Sequence, residues 1–187
     1  MVTAPHRPRL REKLFFLISG VIISIPFTLL VERLSGYFLS IRLPEFYASM
    51  FSAAILVPLV EEFAKAYPLF YRHSETEKSI LTLGFLVGLG FGLAEFLLYI
   101  FVYAAPILIR VPAIFFHATN TSIVAYGIAK KRTLRFYLVA AFLHFMNNFS
   151  AQFGLFWFIG GVAATAASYF ISWRLYRRTT ELSINNQ

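Results

Sequence analysis

The chain has 187 residues, 58% of them hydrophobic and 14% charged, with a mean hydropathy of +0.67. A water-soluble domain carries roughly 25% charge, so the composition excludes an ordinary soluble core and predicts one compact membrane domain. Asp is absent and Phe occurs 22 times. The absence of Cys excludes disulfides and Cys-ligated metals. The net charge of +8 raises the question of nucleic acid, but the basic residues adjoin hydrophobic stretches. Topology signals and anionic lipid headgroups explain them better, and no nucleic-acid partner is expected.

A helix needs about 20 apolar residues to cross the hydrocarbon core. Six stretches qualify, roughly 14–31, 46–71, 79–104, 106–129, 134–152 and 155–175. They predict an all-α, polytopic membrane protein in the cell membrane. It has a basic segment 1–13, a single six-helix transmembrane domain 14–178 and a polar tail 179–187. The first stretch follows Arg7, Arg9, Arg11 and Lys13 as a signal peptide would. No small-x-small cleavage site follows it, so it reads as a retained span. With the N-terminus inside, Arg72, Lys78, Lys130, Lys131, Arg132, Arg135, Arg174, Arg177 and Arg178 fall on the same side as the first four. Only Arg33 and Arg42 fall outside. This bias predicts both termini cytoplasmic. Tyr37, Tyr47, Tyr71, Tyr103, Trp173 and Tyr176 lie near span ends, where interfacial anchors belong.

Small residues mark the helix contacts. Gly84, Gly88 and Gly92 in the third span form a repeated small-xxx-small ladder suited to close approach in lipid. Gly160 with Ala164, and Ala163 with Ala167, suggest the same role for the sixth span.

Ionisable groups within these spans are costly and usually face one another around a working site. At 1.5 Å per residue, Glu62 and His144 both lie ~14 Å from the basic side and His117 ~18 Å. Three helices thus bring Glu61, Glu62, His117 and His144 to one height. Asn148 stands one turn from His144, and Asn120 one turn from His117. Glu95 lies ~24 Å in, level with Arg110, and these two are expected to form a separate structural or gating ion pair. Lys65, at i+4 from Glu61 and i+3 from Glu62, is placed to neutralise a carboxylate. His6 and His73 are expected to be solvated in a tail and a loop. The formal charges within the spans sum to −1 with neutral histidines, so a proton or a cation must supply the balance.

This set suits hydrolysis. Glu61 or Glu62 would act as general base to a water attacking a peptide carbonyl. His117 and His144 with Glu62 would form a His₂Glu zinc set with an open position, or would orient the water without metal. Asn148 or Asn147 would donate to the developing oxyanion. A proton- or ion-coupled transporter using the same groups as a relay is the alternative. Interhelical glue, at about 1 kcal/mol per residue, is the third reading.

The ordered motifs Glu61-Glu62-x-x-Lys65, Gly90-Phe91-Gly92-Leu93-Ala94-Glu95, Arg110 with His117, and His144-x-x-Asn147-Asn148 resemble the PrsW intramembrane proteases. These belong with the CAAX-processing and bacteriocin-processing membrane endopeptidases. The wider group carries Arg four residues after the second Glu, where this chain has Ala66, and Phe four residues before the first His, where it has Ala113. Both departures point to the PrsW branch and away from prenylated substrates. The resemblance implies that Glu61, Glu62, His117 and His144 are catalytic and that Asn148 stabilises the oxyanion. It also implies a substrate that is a membrane-anchored protein. Family members are often labelled metalloproteases, and a metal-free glutamate mechanism competes with that reading.

Overall fold

A computed structural model describes residues 6–71, 76–153 and 156–181. The start of the basic segment, Arg72, His73 and residues 182–187 of the tail lie outside these. Among the described residues every regular element is a helix. The helices fall into six rods at the six expected places. The rods are α1 over residues 10–40, α2 Glu45–Tyr71, α3 Glu77–Phe101, α4 Ile107–Ala129, α5 Thr133–Ser150 and α6 Phe156–Arg177. Three of them, α2, α3 and α4, are both long and apolar enough to cross a membrane by composition.

Two rods contain a turn of π-helix, and proline explains both. In α1 it covers Gly20–Ser24 and Pro26 follows; in α2 it covers Ser52–Leu56 and Pro58 follows. Proline lacks the N–H that would bond four residues back, so the preceding turn widens and frees a carbonyl. In α2 that widened turn lies directly upstream of Glu61 and Glu62.

The core is the α3–α4 pair. A Cβ on Gly88 would stand 2.8 Å from the Ala118 Cα and press on the His117 carbonyl, and one on Gly92 would stand 2.8 Å from the Ile114 Cα. Gly84 faces Ala125 and Thr121 in the same way. The expected ladder is thus the seam that lets α4 lie directly on α3, carrying His117 with it. On α1, Gly20 lies against the Val87 carbonyl and the Phe91 N–H of α3.

Hydrogen bonds tie the remaining rods to this pair. Thr119 Oγ1 lies 2.9 Å from Ser168 Oγ, and Ser122 Oγ 2.6 Å from Ser172 Oγ, joining α4 to α6. Asn120 Nδ2 donates to the Ala140 carbonyl at 2.9 Å, so this residue is spent on α4–α5 packing. On α6 the packed stripe runs Gly160, Ala164, Ser168, Ser172, with Gly160 against Ser150 of α5. The second pairing expected there is not a seam, because Ala163 is exposed. The aromatic residues expected as interfacial anchors are all exposed near rod ends.

Candidate active site

Pro58 opens the regular stretch Val57–Ala66 of α2, and Glu61 and Glu62 follow it by one turn. Adjacent helical residues project about 100° apart, and the two carboxylates diverge. Glu61 lines a cavity of about 420 Å³, while Glu62 turns into protein and is wholly buried.

Lys65, also wholly buried, organises the centre. Its Nζ donates to Glu62 Oε1 at 2.7 Å and to His117 Nδ1 at 3.0 Å, and stands 3.7 Å from Glu61 Oε2. An ammonium group can only donate, so His117 accepts through Nδ1. Its Nε2–H then donates to Glu95 Oε2 at 2.7 Å. His144 presents Nδ1 to Glu62 Oε1 at 2.9 Å, and its Nε2 lies 3.7 Å from Glu61 Oε2. A carboxylate oxygen can only accept, which puts the proton on Nδ1 and leaves the lone pair of Nε2 toward Glu61. The two imidazoles meet edge-on at 5.2 Å, flanked by Phe91 and Phe116.

These contacts locate the charge imbalance. Lys65 sits closer to Glu62 than to Glu61, and Arg110 Nη2 bonds Glu95 Oε1 at 3.2 Å. Glu61 is the carboxylate left over. Its Oε2 is buried and lacks a hydrogen-bond partner, as do Glu62 Oε2, Thr121 Oγ1, Thr28 Oγ1 and Arg110 Nε; of these residues Glu61, Thr28 and Arg110 line the cavity. Buried polar groups are ordinarily bonded. Three such atoms around one cavity therefore mark a place built for a polar guest.

Four expectations are revised. Glu95 and Arg110 do pair, but they are not separate from the centre, because the second oxygen of Glu95 holds His117. Arg110 also stacks on Tyr99, with Cζ 3.4 Å from the ring centroid. The metal-ligand geometry gathers Glu61 rather than Glu62 with the two histidines, and their donor atoms lie within 4.8 Å of one another. Lys65 and His144 both bond Glu62 through Oε1, while its Oε2 is buried without a hydrogen-bond partner and Glu62 does not line the cavity. Asn148 lines the cavity, but one amide hydrogen goes to the Ala53 carbonyl at 3.0 Å, inside the π-turn of α2. Its Oδ1 accepts from Asn147 at 3.2 Å, and a second N–H is left to serve the cavity. Away from the centre, His6 is not merely solvated, since its Nε2 bonds the Glu12 carboxylate at 3.0 Å.

Four lining residues carry no signal in the span-by-span reading: Thr28, Glu32, Tyr99 and Gln152. A first span ending near 31 stops just short of Glu32. The apolar run through Leu34, Tyr37, Phe38 and Leu39 was the sign that the helix continues. Thr28 and Glu32, four residues apart, then share a face.

Acid, imidazole and amide groups gathered within apolar rods define a membrane-embedded protein with a hydrolase-like centre. The comparison with family models makes this specific. The chain belongs to the PrsW family of intramembrane metalloproteases, whose model matches residues 9–174. No curated protein and no solved structure is similar enough to match.

The residues present fit a divalent metal. Two histidines and one glutamate are a common catalytic zinc set. His144 donates its other ring N–H to Glu62, as metal-bound histidines regularly do to a carboxylate. Glu61 Oε2 and His144 Nε2 are open, whereas His117 offers a nitrogen by giving up Lys65 or Glu95.

Proposed function

We propose that this protein is a six-span endopeptidase of the cell membrane that hydrolyses a peptide bond of a membrane-anchored protein. In this reading all six rods cross the bilayer and both termini are cytoplasmic, as the basic-residue bias favours. The observation that carries the chemistry is Glu61 Oε2, buried on the cavity without a hydrogen bond and 3.7 Å from His144 Nε2.

Glu61 takes the proton of a water lying between itself and His144, and the resulting hydroxide attacks the scissile carbonyl. Glu62 holds His144 in the tautomer whose Nε2 accepts from that water. Lys65 and Glu95 fix His117 from its two nitrogens. The free N–H of Asn148 donates to the developing oxyanion, and Glu61 returns the proton to the departing amine. With a divalent metal bound, Glu61, His117 and His144 would instead be its holders, the His144 Nε2 lone pair going to the ion rather than to the water, and the ion would supply Lewis-acid polarisation of water and carbonyl.

An extended substrate exposes backbone that lipid cannot satisfy, so it must travel where protein or water lines its path. The cavity offers that path among α1 to α5. Glu32, Tyr103, Arg110 and Gln152 line it near the rod ends remote from the basic loops. Access to the mid-depth centre from the extracytoplasmic side follows from that placement together with the orientation.

The test is cleavage of a set of single-span fluorogenic peptides by protein reconstituted in liposomes. Glu61→Gln should abolish turnover while costing less thermal stability than Glu62→Gln. Full turnover by that variant overturns the assignment.

A further inference from the structure

A second cavity, of about 430 Å³, opens at the basic end of the molecule between the α4–α5 turn and the end of α6. Lys130, Arg132, Arg135 and Arg178 line it, over a floor that includes Tyr126 and Phe136. Its walls are fixed by local structure. Lys131 takes the left-handed conformation (φ 54°), with its N–H on the Ile128 carbonyl at 3.1 Å and that of Arg132 on Gly127 at 2.8 Å. This is the double bond of a Schellman helix stop, and it sets where Arg132 leaves α4. Buried Glu77, at the start of α3, pairs with Lys130 and accepts the Thr180 N–H at 3.0 Å, strapping the end of α6 to the same corner.

Among the described residues the charges do not cancel. Glu77 is committed to Lys130 and Thr180, and among the described residues no carboxylate ion-pairs with Arg132, Arg135 or Arg178. Three guanidinium groups facing one cavity repel each other until an anion joins them. Their planar forks match phosphate oxygens. The bilayer is the nearest source of phosphate. Leu134, Leu138 and Phe142 stand exposed at four-residue spacing on α5, the rod that carries Arg135, so one face of that rod is apolar and open.

We propose that this cavity binds the phosphate headgroup of an anionic phospholipid, held by Arg132, Arg135 and Arg178. The site is separate from the acid–imidazole centre and does not depend on proteolysis. It differs from a general attraction of basic loops to anionic membranes because it requires these three residues together.

Native mass spectrometry of protein from mixed phosphatidylglycerol and phosphatidylcholine micelles tests it. Wild type should retain one phosphatidylglycerol in preference to phosphatidylcholine. Removing a basic residue near such a surface weakens attraction about fivefold, so Arg132→Gln/Arg135→Gln/Arg178→Gln should lower retention more than tenfold. The corresponding triple Lys variant should keep most of it. Thermal unfolding in lipid-free detergent confirms that the variants fold. Unchanged retention in the Gln variant overturns the proposal. So does an equal loss in a control carrying Arg9→Gln, Arg11→Gln and Lys13→Gln. Full displacement of the lipid by millimolar inorganic phosphate would mean that a free anion, not a lipid, is the ligand.

Discussion

His144 and Glu62 lock together at 2.9 Å through Nδ1, and that bond decides what the other face of the imidazole can do. It separates the adjacent carboxylates into a supporting one, spent on Lys65 and His144, and a working one that faces the cavity.

The separation predicts different losses in the two glutamine variants. Glu61 Oε2 lies 3.7 Å from both Lys65 and His144, whereas Glu62 Oε1 bonds them at 2.7 and 2.9 Å, so Glu61→Gln should cost clearly less stability than Glu62→Gln. Glu62→Gln leaves the Lys65 charge buried without its closest partner, and breaking a buried pair costs roughly 3–5 kcal/mol. Both variants should lose cleavage. Thermal unfolding in detergent distinguishes them, and equal unfolding temperatures would contradict the division of labour.

Lys65 should behave as the hub of a coupled network. Lys65→Met removes the cation beside Glu62, leaving its Oε1 only the His144 bond, and orphans His117 Nδ1. Its destabilisation should match that of Glu62→Gln, while the double variant should cost less than the two single losses combined. Residues sharing one network show coupling of roughly 0.5–3 kcal/mol. Additive losses in a double-mutant cycle would show that Lys65 acts independently of Glu62.

The α3–α4 seam carries a prediction about placement. A methyl group at Gly88 meets the His117 backbone and the Ala118 Cα, whereas one at Gly36 meets nothing within 4 Å. Gly88→Ala should therefore cost about 1–3 kcal/mol through overpacking and reduce cleavage by displacing His117. Gly36→Ala should do neither. Parallel unfolding and cleavage measurements on the two variants check this, and indifference at Gly88 would contradict the observed seam.

Much of this was legible in the sequence because membranes penalise exceptions. The apolar runs announced the six rods, and Glu61, Glu62, His117 and His144 stood out as charges where lipid tolerates few. The ladder at Gly84, Gly88 and Gly92 named its own partner face by spacing. Other features were set by tertiary packing, which periodicity does not encode. Depth along a helix placed Glu95 near Arg110 but could not show that its second oxygen turns toward His117. Adjacent glutamates have the same depth and composition, so only their azimuth, visible in three dimensions, tells Glu61 from Glu62. The π-turns could have been suspected from Pro26 and Pro58. Their consequence, a carbonyl at Ala53 that claims half the Asn148 amide, depends on how α2 meets α5.

The last prediction concerns metal and uses Glu62 as the probe, since it supports His144 without belonging to the gathered donor set. Removing a donor and removing the support of a donor have different signatures. Chelator-treated protein titrated with zinc should bind about one ion per chain, as a His₂Glu set provides. Glu61→Gln and His144→Ala should abolish that binding. Glu62→Gln should weaken it by about 10–100-fold, as loss of an outer carboxylate does, and Asn148→Ala should leave it unchanged. Isothermal titration calorimetry in detergent reads all four. Active wild-type protein that binds no metal, and whose cleavage survives chelation, would leave Glu61 as a metal-free base. In that case Glu62→Gln would act solely by releasing His144 from the tautomer that accepts the water proton.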